Sequence, residues 1–324
     1  MLNNHHIPVL LNEVKQYLIT ENPLFVEGQD VESFTFFDGT LGGGGYTKMM
    51  LELDPRINII ATDLDNLAIQ NFWDFTSMDK EKYDSKITFI QASFLDAIQS
   101  LPDKSLDGVV LDLGFSTNQM EIGSRGFAYL AKDQEEPFDL RFDETSGTPA
   151  YEIIKSLQSS KELGNIIFNY SGETLARKIA ENLYNDIRQT PAKSVVTVAQ
   201  ALVAIRKGIP KQFLHKEYGI LSRIWQALRI WINNELSILE QFLPMALKKL
   251  KSGGRLVVVD FHSLEDKIVT KWMRNMAEPI SVNKFGEKTF LTKLKTRRGV
   301  EPTPEEVTTN PRSRSGTLRC LEKV

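Results

Sequence analysis

Four short apolar runs follow one another in the first third of the chain: SFTFFD at 33–38, INIIATD at 57–63, ITFIQA at 87–92 and LDGVVLDLG at 106–114. Each predicts a strand buried on both faces of a parallel sheet. Between the first two lies GGYTKMMLEL, and between the next two DNLAIQNFWDFTSM, both with apolar residues at helical spacing. Strand, helix, strand, helix is the order of a doubly wound α/β sheet.

The rhythm stops at about Gly123. From there to Tyr218 only helix-prone stretches occur, among them GETLARKIAENLYNDIR at 172–188 and VTVAQALVAIRK at 196–207, so residues 123–218 are expected to be an all-helical insertion. It resumes with one long amphipathic segment at 220–243, a basic turn LKKLKSGG, the apolar RLVVVDF at 255–261, a helix over 264–277 and a last strand over 316–323. Residues 1–122 and 219–324 then make one domain around the insertion. Gly253 and Gly254 are expected to end the helix before RLVVVDF. The stretch 297–315, RRGVEPTPEEVTTNPRSRS, reads as an extended loop, because residues before proline are kept out of helix.

The 324 residues are 41% hydrophobic and 25% charged, enough apolar material for one large core or two smaller ones. No apolar run approaches the roughly 18 residues of a membrane span, and the N-terminal stretch lacks the basic patch and apolar core of a signal peptide. A cytoplasmic protein without membrane contact is expected. Cys320 stands alone and the histidines are scattered at 5, 6, 215 and 262, which argues against a disulfide framework or a structural metal. The formal net charge of -3 argues against binding nucleic acid through bulk charge, yet from residue 283 onward ten Lys or Arg face five Glu. A basic face on an acidic body and ordinary solvated lysines both fit that imbalance.

In a doubly wound sheet ligands sit beyond the carboxyl ends of the strands, and the loop after the first strand is the usual cradle. Here that loop is DGTLGGGGYT. Glycine gives up more backbone freedom on folding than any other residue, so four in a row argue for a ligand laid against bare peptide and for a negative group at the helix start behind it. A phosphate-binding P-loop would end in Gly-Lys-Ser/Thr, and a dinucleotide fingerprint would need a third glycine where Thr47 stands. Asp63, ending the second run 19 positions after Gly44, is placed to accept hydrogen bonds from ribose hydroxyls. S-adenosylmethionine matches: its carboxylate suits the glycine loop, its ribose suits Asp63, and its adenine would lie near Phe94, which either offers a ring face or belongs to the core.

The motifs DGTLGGGGYT, DLGFSTNQME, RGFAYL, PFDLRFD, QALRIWINNEL, FHSLEDK and NPRSRS occur in that order. Together they resemble the family of bacterial 16S rRNA cytosine N4-methyltransferases, over nearly the whole chain. The resemblance implies a Rossmann-like class I methyltransferase sheet with an inserted helical substrate domain, and S-adenosylmethionine-dependent methylation of the exocyclic amine of a cytidine in the decoding region of small-subunit rRNA. By motif position it implies cofactor contacts at Gly44, Gly45, Tyr46, Asp63, Phe94, Asp112 and Gln119. The partner would be 16S rRNA or the small ribosomal subunit; a homodimer is compatible, and the oligomeric state is left open. Two departures stand out: Tyr46 replaces the family's usual histidine, and Asn118 replaces a proline before Gln119. A DNA cytosine methyltransferase would carry a Pro-Pro-aromatic tetrapeptide where FSTN stands, and a small-molecule enzyme would not explain the basic C-terminal segment. An RNA-binding relative that has lost catalysis is favoured only by Tyr46.

A methyl group on a sulfonium is already activated, so the site's main task is to hold donor and amine in line. Acceptors that bind the amine's N–H groups would help localise its lone pair. Asp112, Ser116, Asp260, His262 and Ser263 are the candidates at the mouths of the fourth and fifth strands. Asp112 is a carboxylate ending a buried apolar run, and its plainer role would be a loop staple. His262 either takes the released proton or shapes the pocket as a neutral imidazole. Ser263, followed by Leu264, Glu265 and Asp266, has the form of a helix cap. Phe115 and Phe261 are candidate walls for a splayed base. Phosphate contacts are expected from Arg297, Arg298, Arg312 and Arg314, with Arg206, Lys207 and Lys211 on the insertion. Asp139 and Arg141 either pair with each other or present a fork to RNA.

Overall fold

The computed structural model describes residues 7–25, 31–113, 125–127, 135–191 and 194–324. The four apolar runs form β1 (Phe34–Asp38), β2 (Ile57–Asp63), β3 (Ile87–Gln91) and β4 (Leu106–Asp112), followed later in the chain by β5 (Leu250–Asp260). β6 (Pro279–Val282) and β7 (Lys288–Phe290) pair with each other, while β8 (Thr292–Leu294) and β9 (Thr317–Lys323) complete the main sheet. Its order is β3-β2-β1-β4-β5-β9-β8. The first five are parallel, and β9 runs antiparallel to β5.

From β1 the chain steps outward to β2 and β3, then returns to the other side of β1 for β4 and β5. This reversal leaves a crevice at the carboxyl ends of β1 and β4, the place where doubly wound folds bind ligands. Apolar residues alternate to both faces. Phe36, Ile59, Val110 and Val257 pack on one side with Met50 and Leu51 of α2 (Gly45–Leu53) and Phe72 of α3 (Asn66–Thr76). On the other, Phe37, Val109, Leu111 and Val258 meet Ile98 and Phe242. The expected sheet is therefore present, with both faces covered.

The chain divides into two compact units, residues 1–117 with 236–324, and residues 118–235. The second is helical, its core built from α7 (Ser160–Ser171), α8 (Ala176–Gln189), α9 (Val198–Lys207) and α10 (Glu217–Ile232). It reaches further than the expected end at 218, because Ile220, Leu221, Ile224, Trp225 and Leu228 of α10 are buried in that helical core. The segment 220–243 is accordingly two helices. α10 ends at Asn233, whose side-chain amide donates to the Leu140 carbonyl at 2.7 Å and accepts from Phe142 N–H at 2.8 Å. Asn234 turns left-handed at φ 52°, a conformation asparagine tolerates, and α11 (Glu235–Lys249) begins.

Two further expectations are corrected, and one element is new. Gly253 and Gly254 do not end a helix: they lie inside β5, where its register with β4 slips between Leu106/Leu250 and Gly108/Arg255. Gly253 has φ +85°, and a Cβ there would fall 2.9 Å from Leu24, so the glycines serve a bulge and a close approach. The stretch 297–315 is not simply extended. It holds α13 (Pro304–Thr309) and a 3-10 turn (Pro311–Ser315), each opening on a proline, where the missing N–H has no helical partner to lose. Last, the β6–β7 hairpin is an element the apolar pattern did not reveal.

Candidate active site

The loop after β1 is built by its own packing first. A Cβ on Gly44, which has φ +75°, would lie 2.1 Å from the Phe72 ring, and one on Gly45 would lie 1.9 Å from Pro8 Cγ. Both glycines are thus required by neighbours within the chain, a reason the ligand argument did not contain. Gly45 opens α2, so the N–H groups of its first turn, Tyr46 included, have no partner inside the helix and face the loop end.

Four carboxylates end four of the parallel strands. Asp38, at the end of β1, accepts from Thr47 Oγ1 at 2.7 Å and Thr40 N–H at 3.3 Å; burial pushes its pKa up to about 6. Asp63, ending β2, accepts from Gly42 N–H and Asp65 N–H, each at 2.9 Å. It ties the glycine loop to the next one and keeps lone pairs for further donors. Burial again raises its pKa. Asp112 ends β4, its own N–H donating to Thr40 Oγ1 at 2.7 Å, while its Oδ1 is buried without a hydrogen-bond partner among the described residues. Burial pushes its pKa well up, and Asp38 and Glu265 push in the same direction.

Asp38 pairs with Val110, two residues before Asp112, so the two carboxyls project to the same face of the sheet. Asp260, ending β5, is different. Asp112 pairs with Val259, so alternation sends Asp260 to the opposite face, toward Asp266, Glu265 and Arg319. Its Oδ2 also lacks a partner, and burial, then the two acids, lift its pKa to about 8.

Tyr46 is buried, and its phenol donates to the Val9 carbonyl. Burial raises that phenol's pKa well up, followed by the charges of Asp112 and Asp38. The side chain is therefore committed to packing and to the Val9 carbonyl. Phe94 begins α5 (Phe94–Ser100) half-buried, its ring edge-on to Phe242 at 4.9 Å, and its Cβ sits 3.2 Å from where a Cβ of Gly39 would be. Phe94 is thus anchored in the core and borders the loop.

At the end of β5 the helix cap is His262, not Ser263. His262 Nδ1 accepts from Glu265 N–H at 3.4 Å, and Glu265 Oε2 reaches back to Phe261 N–H at 3.1 Å, opening α12 (Ser263–Met276). Ser263 is the first helical residue and exposed, and Asp266 pairs with Arg319 at 2.7 Å. An imidazole accepting at Nδ1 carries its proton on Nε2 when neutral. Nε2 lies 3.1 Å from Glu265 Oε1 but makes no aligned hydrogen bond.

Ser116, Gln119 and Phe115 lie outside the described residues. In the helical unit, Asp139 and Arg141 pair bidentately at 2.6 and 2.7 Å, and Arg141 also donates to the Ser146 and Gly147 carbonyls. Arg206 pairs with Glu217 and Lys207 with Asp186. Arg297, Arg298, Arg312 and Arg314 are exposed. The residue that sequence reading missed is Asp38, for which the acidic end of FTFFD was the available signal. No group of His, Cys, Asp and Glu among the described residues is arranged to hold a metal, and no described helix is long and apolar enough to cross a membrane.

A crevice with a glycine-lined helix start on one side and carboxylates on the other suits a ligand carrying both an anionic group and a cation or hydroxyls. The MraW methylase family model matches residues 3–324. The chain belongs to the MraW methylase family. Members of this family named ribosomal RNA small subunit methyltransferase H are similar to it over their full length. That of Rickettsia felis is 34% identical, covering 98% of both chains, and that of Thermotoga neapolitana 33%, covering 99% of this chain and 97% of its own. The Syntrophus aciditrophicus protein is 34% identical, covering 99% and 98%.

Proposed function

We propose that this methylase uses S-adenosylmethionine to methylate the N4 amine of a cytidine in the decoding region of 16S rRNA, with the helical unit contributing substrate recognition. The observation that carries the reading is Asp112 Oδ1, a buried acceptor with no partner among the described residues, at the reversal point of the sheet. An unsatisfied buried acceptor costs about 1–3 kcal/mol and is retained where a ligand donor satisfies it.

The cofactor supplies a methyl group already activated on a sulfonium. Asp63 would hold the ribose hydroxyls, and the first N–H groups of α2 would hold the carboxylate. Asp112 accepts an N–H of the target amine, which localises the nitrogen lone pair and orients it. Accepting the methyl group would leave the amine positively charged and acidic. Its proton passes to Asp112, which burial and the neighbouring acids make a better base than an ordinary carboxylate. His262, occupied at Nδ1, shapes the pocket.

Mapping methylated cytidines in small-subunit rRNA from cells with and without this protein tests the substrate. Loss of one N4-methylcytidine on deletion is expected, restored by the wild type and not by Asp112→Asn. An unchanged map, or restoration by the Asn variant, overturns the assignment.

A further inference from the structure

The β6–β7 hairpin stands out from the sheet with nearly every side chain in water. Residues 281–291 are all exposed, yet they include large apolar side chains: Val282 is 57% exposed and Phe285 78%, with Ile280 beside them at 64%. Such exposure is costly, so it invites a partner.

The tip is built rather than loose. Asn283 Oδ1 accepts from both Phe285 N–H at 2.9 Å and Glu287 N–H at 3.0 Å, and Asn283 Nδ2 donates to Glu287 Oε2 at 2.6 Å. Gly286 supplies the left-handed residue at φ +82°. One asparagine thus braces the turn, consumes its only acid, and leaves Phe285 displayed.

Charge says what the displayed ring would meet. From 279 to 298 there are six Lys or Arg and one Glu, in a chain whose net charge is -3. Lys284, Lys288, Lys293, Arg297 and Arg298 are exposed and form no ion pair among the described residues, and Lys284 Nζ sits 5.1 Å from the Phe285 ring centre. An exposed aromatic set among unpaired cations is the pattern of a single-stranded nucleic acid platform, the ring stacking a base and the lysines taking phosphates.

We propose that the β6–β7 hairpin is a single-stranded RNA contact in which Phe285 stacks on an unpaired base and Lys284 and Lys288 bind the flanking phosphates. It rests on the rRNA substrate reading and locates part of that contact away from the carboxylate crevice.

The test measures binding of full-length protein to a fluorescent oligouridylate across a salt series, with cofactor affinity and sedimentation recorded in parallel. Phe285→Ala should weaken RNA binding roughly ten-fold or more, as loss of one stacked base does. The double variant Lys284→Gln, Lys288→Gln should reduce the slope of log affinity against log salt by about 1.4, which is about 0.7 per lost phosphate contact on a single strand. Melting temperature and cofactor affinity should not change. Unaltered RNA binding in both variants overturns the hairpin while leaving the substrate reading intact; so does a wild-type dimer that Phe285→Ala converts to monomer without loss of RNA affinity. Wild-type protein that binds cofactor but no RNA overturns both.

Discussion

Gly42 donates its backbone N–H to Asp63 Oδ2 at 2.9 Å, so the glycine loop after the first strand hangs from the carboxylate that ends the second. Asp63→Ala should therefore do two things. It removes the acceptor proposed for the ribose, and it takes away the partner of the Gly42 N–H, at about 1–3 kcal/mol where that group stays dry. Calorimetry should show cofactor affinity lowered at least about a hundred-fold, with a reduced melting temperature. An unchanged affinity would remove Asp63 from the site.

Tyr46 allows side-chain packing and ligand contact to be separated. Tyr46→Phe deletes the donor to the Val9 carbonyl and should cost about 1 kcal/mol in denaturant unfolding, with cofactor affinity unaltered because the proposed contact runs through main chain. A Phe variant that keeps its stability and loses cofactor would place the phenol oxygen against the ligand instead.

Asp260 gives a pH signature. Its carboxyl is lifted from an ordinary 3.8 to about 8, so between those values the folded chain holds a proton that the unfolded chain releases. Stability then falls as pH rises through that window, by up to about 1.4 kcal/mol per unit from this group. Asp266 and Glu265 strengthen the effect and Arg319 opposes it. Asp260→Asn keeps the neutral form, and urea midpoints followed from pH 4 to 8 should show a flatter decline than wild type. Parallel profiles would mean that Asp260 is ionised in the fold.

Arg312 and Arg314 sit on the exposed 3-10 turn, which is tied down by neighbours: Asn310 Nδ2 donates to the Ile7 carbonyl at 3.0 Å, and Glu306 accepts from Leu10 N–H at 2.7 Å. Alanine at either arginine should weaken rRNA binding more at low salt than at high salt and leave cofactor affinity intact. Salt-independent loss would point to a folding defect in the turn.

The sheet was legible because buried parallel strands need continuous apolar runs, and Phe34, Ile59, Val110 and Val258 stand in four of them. Asp63 and Asp112 were legible for the related reason that a carboxylate ending such a run requires an explanation. What escaped depended on long-range packing. Nothing local distinguishes α10 from α11 until Asn233 meets Leu140 and Phe142 across the helical unit. The cap at His262 escaped because serine is the commoner cap, whereas here Glu265 reaches back one residue further than the Ser263 reading assumed. The hairpin escaped because its side chains face water on both sides, so no burial imprints a period on it.

Residues 317–323 supply β9, which lies between β5 and β8 rather than at the rim. During synthesis, β5 must wait with one hydrogen-bonding flank open until that stretch clears the ribosome. A message cut short anywhere upstream of 317 would release a chain whose crevice residues are all encoded but whose central ribbon carries a raw, pairing-competent border, prone to clumping with its siblings.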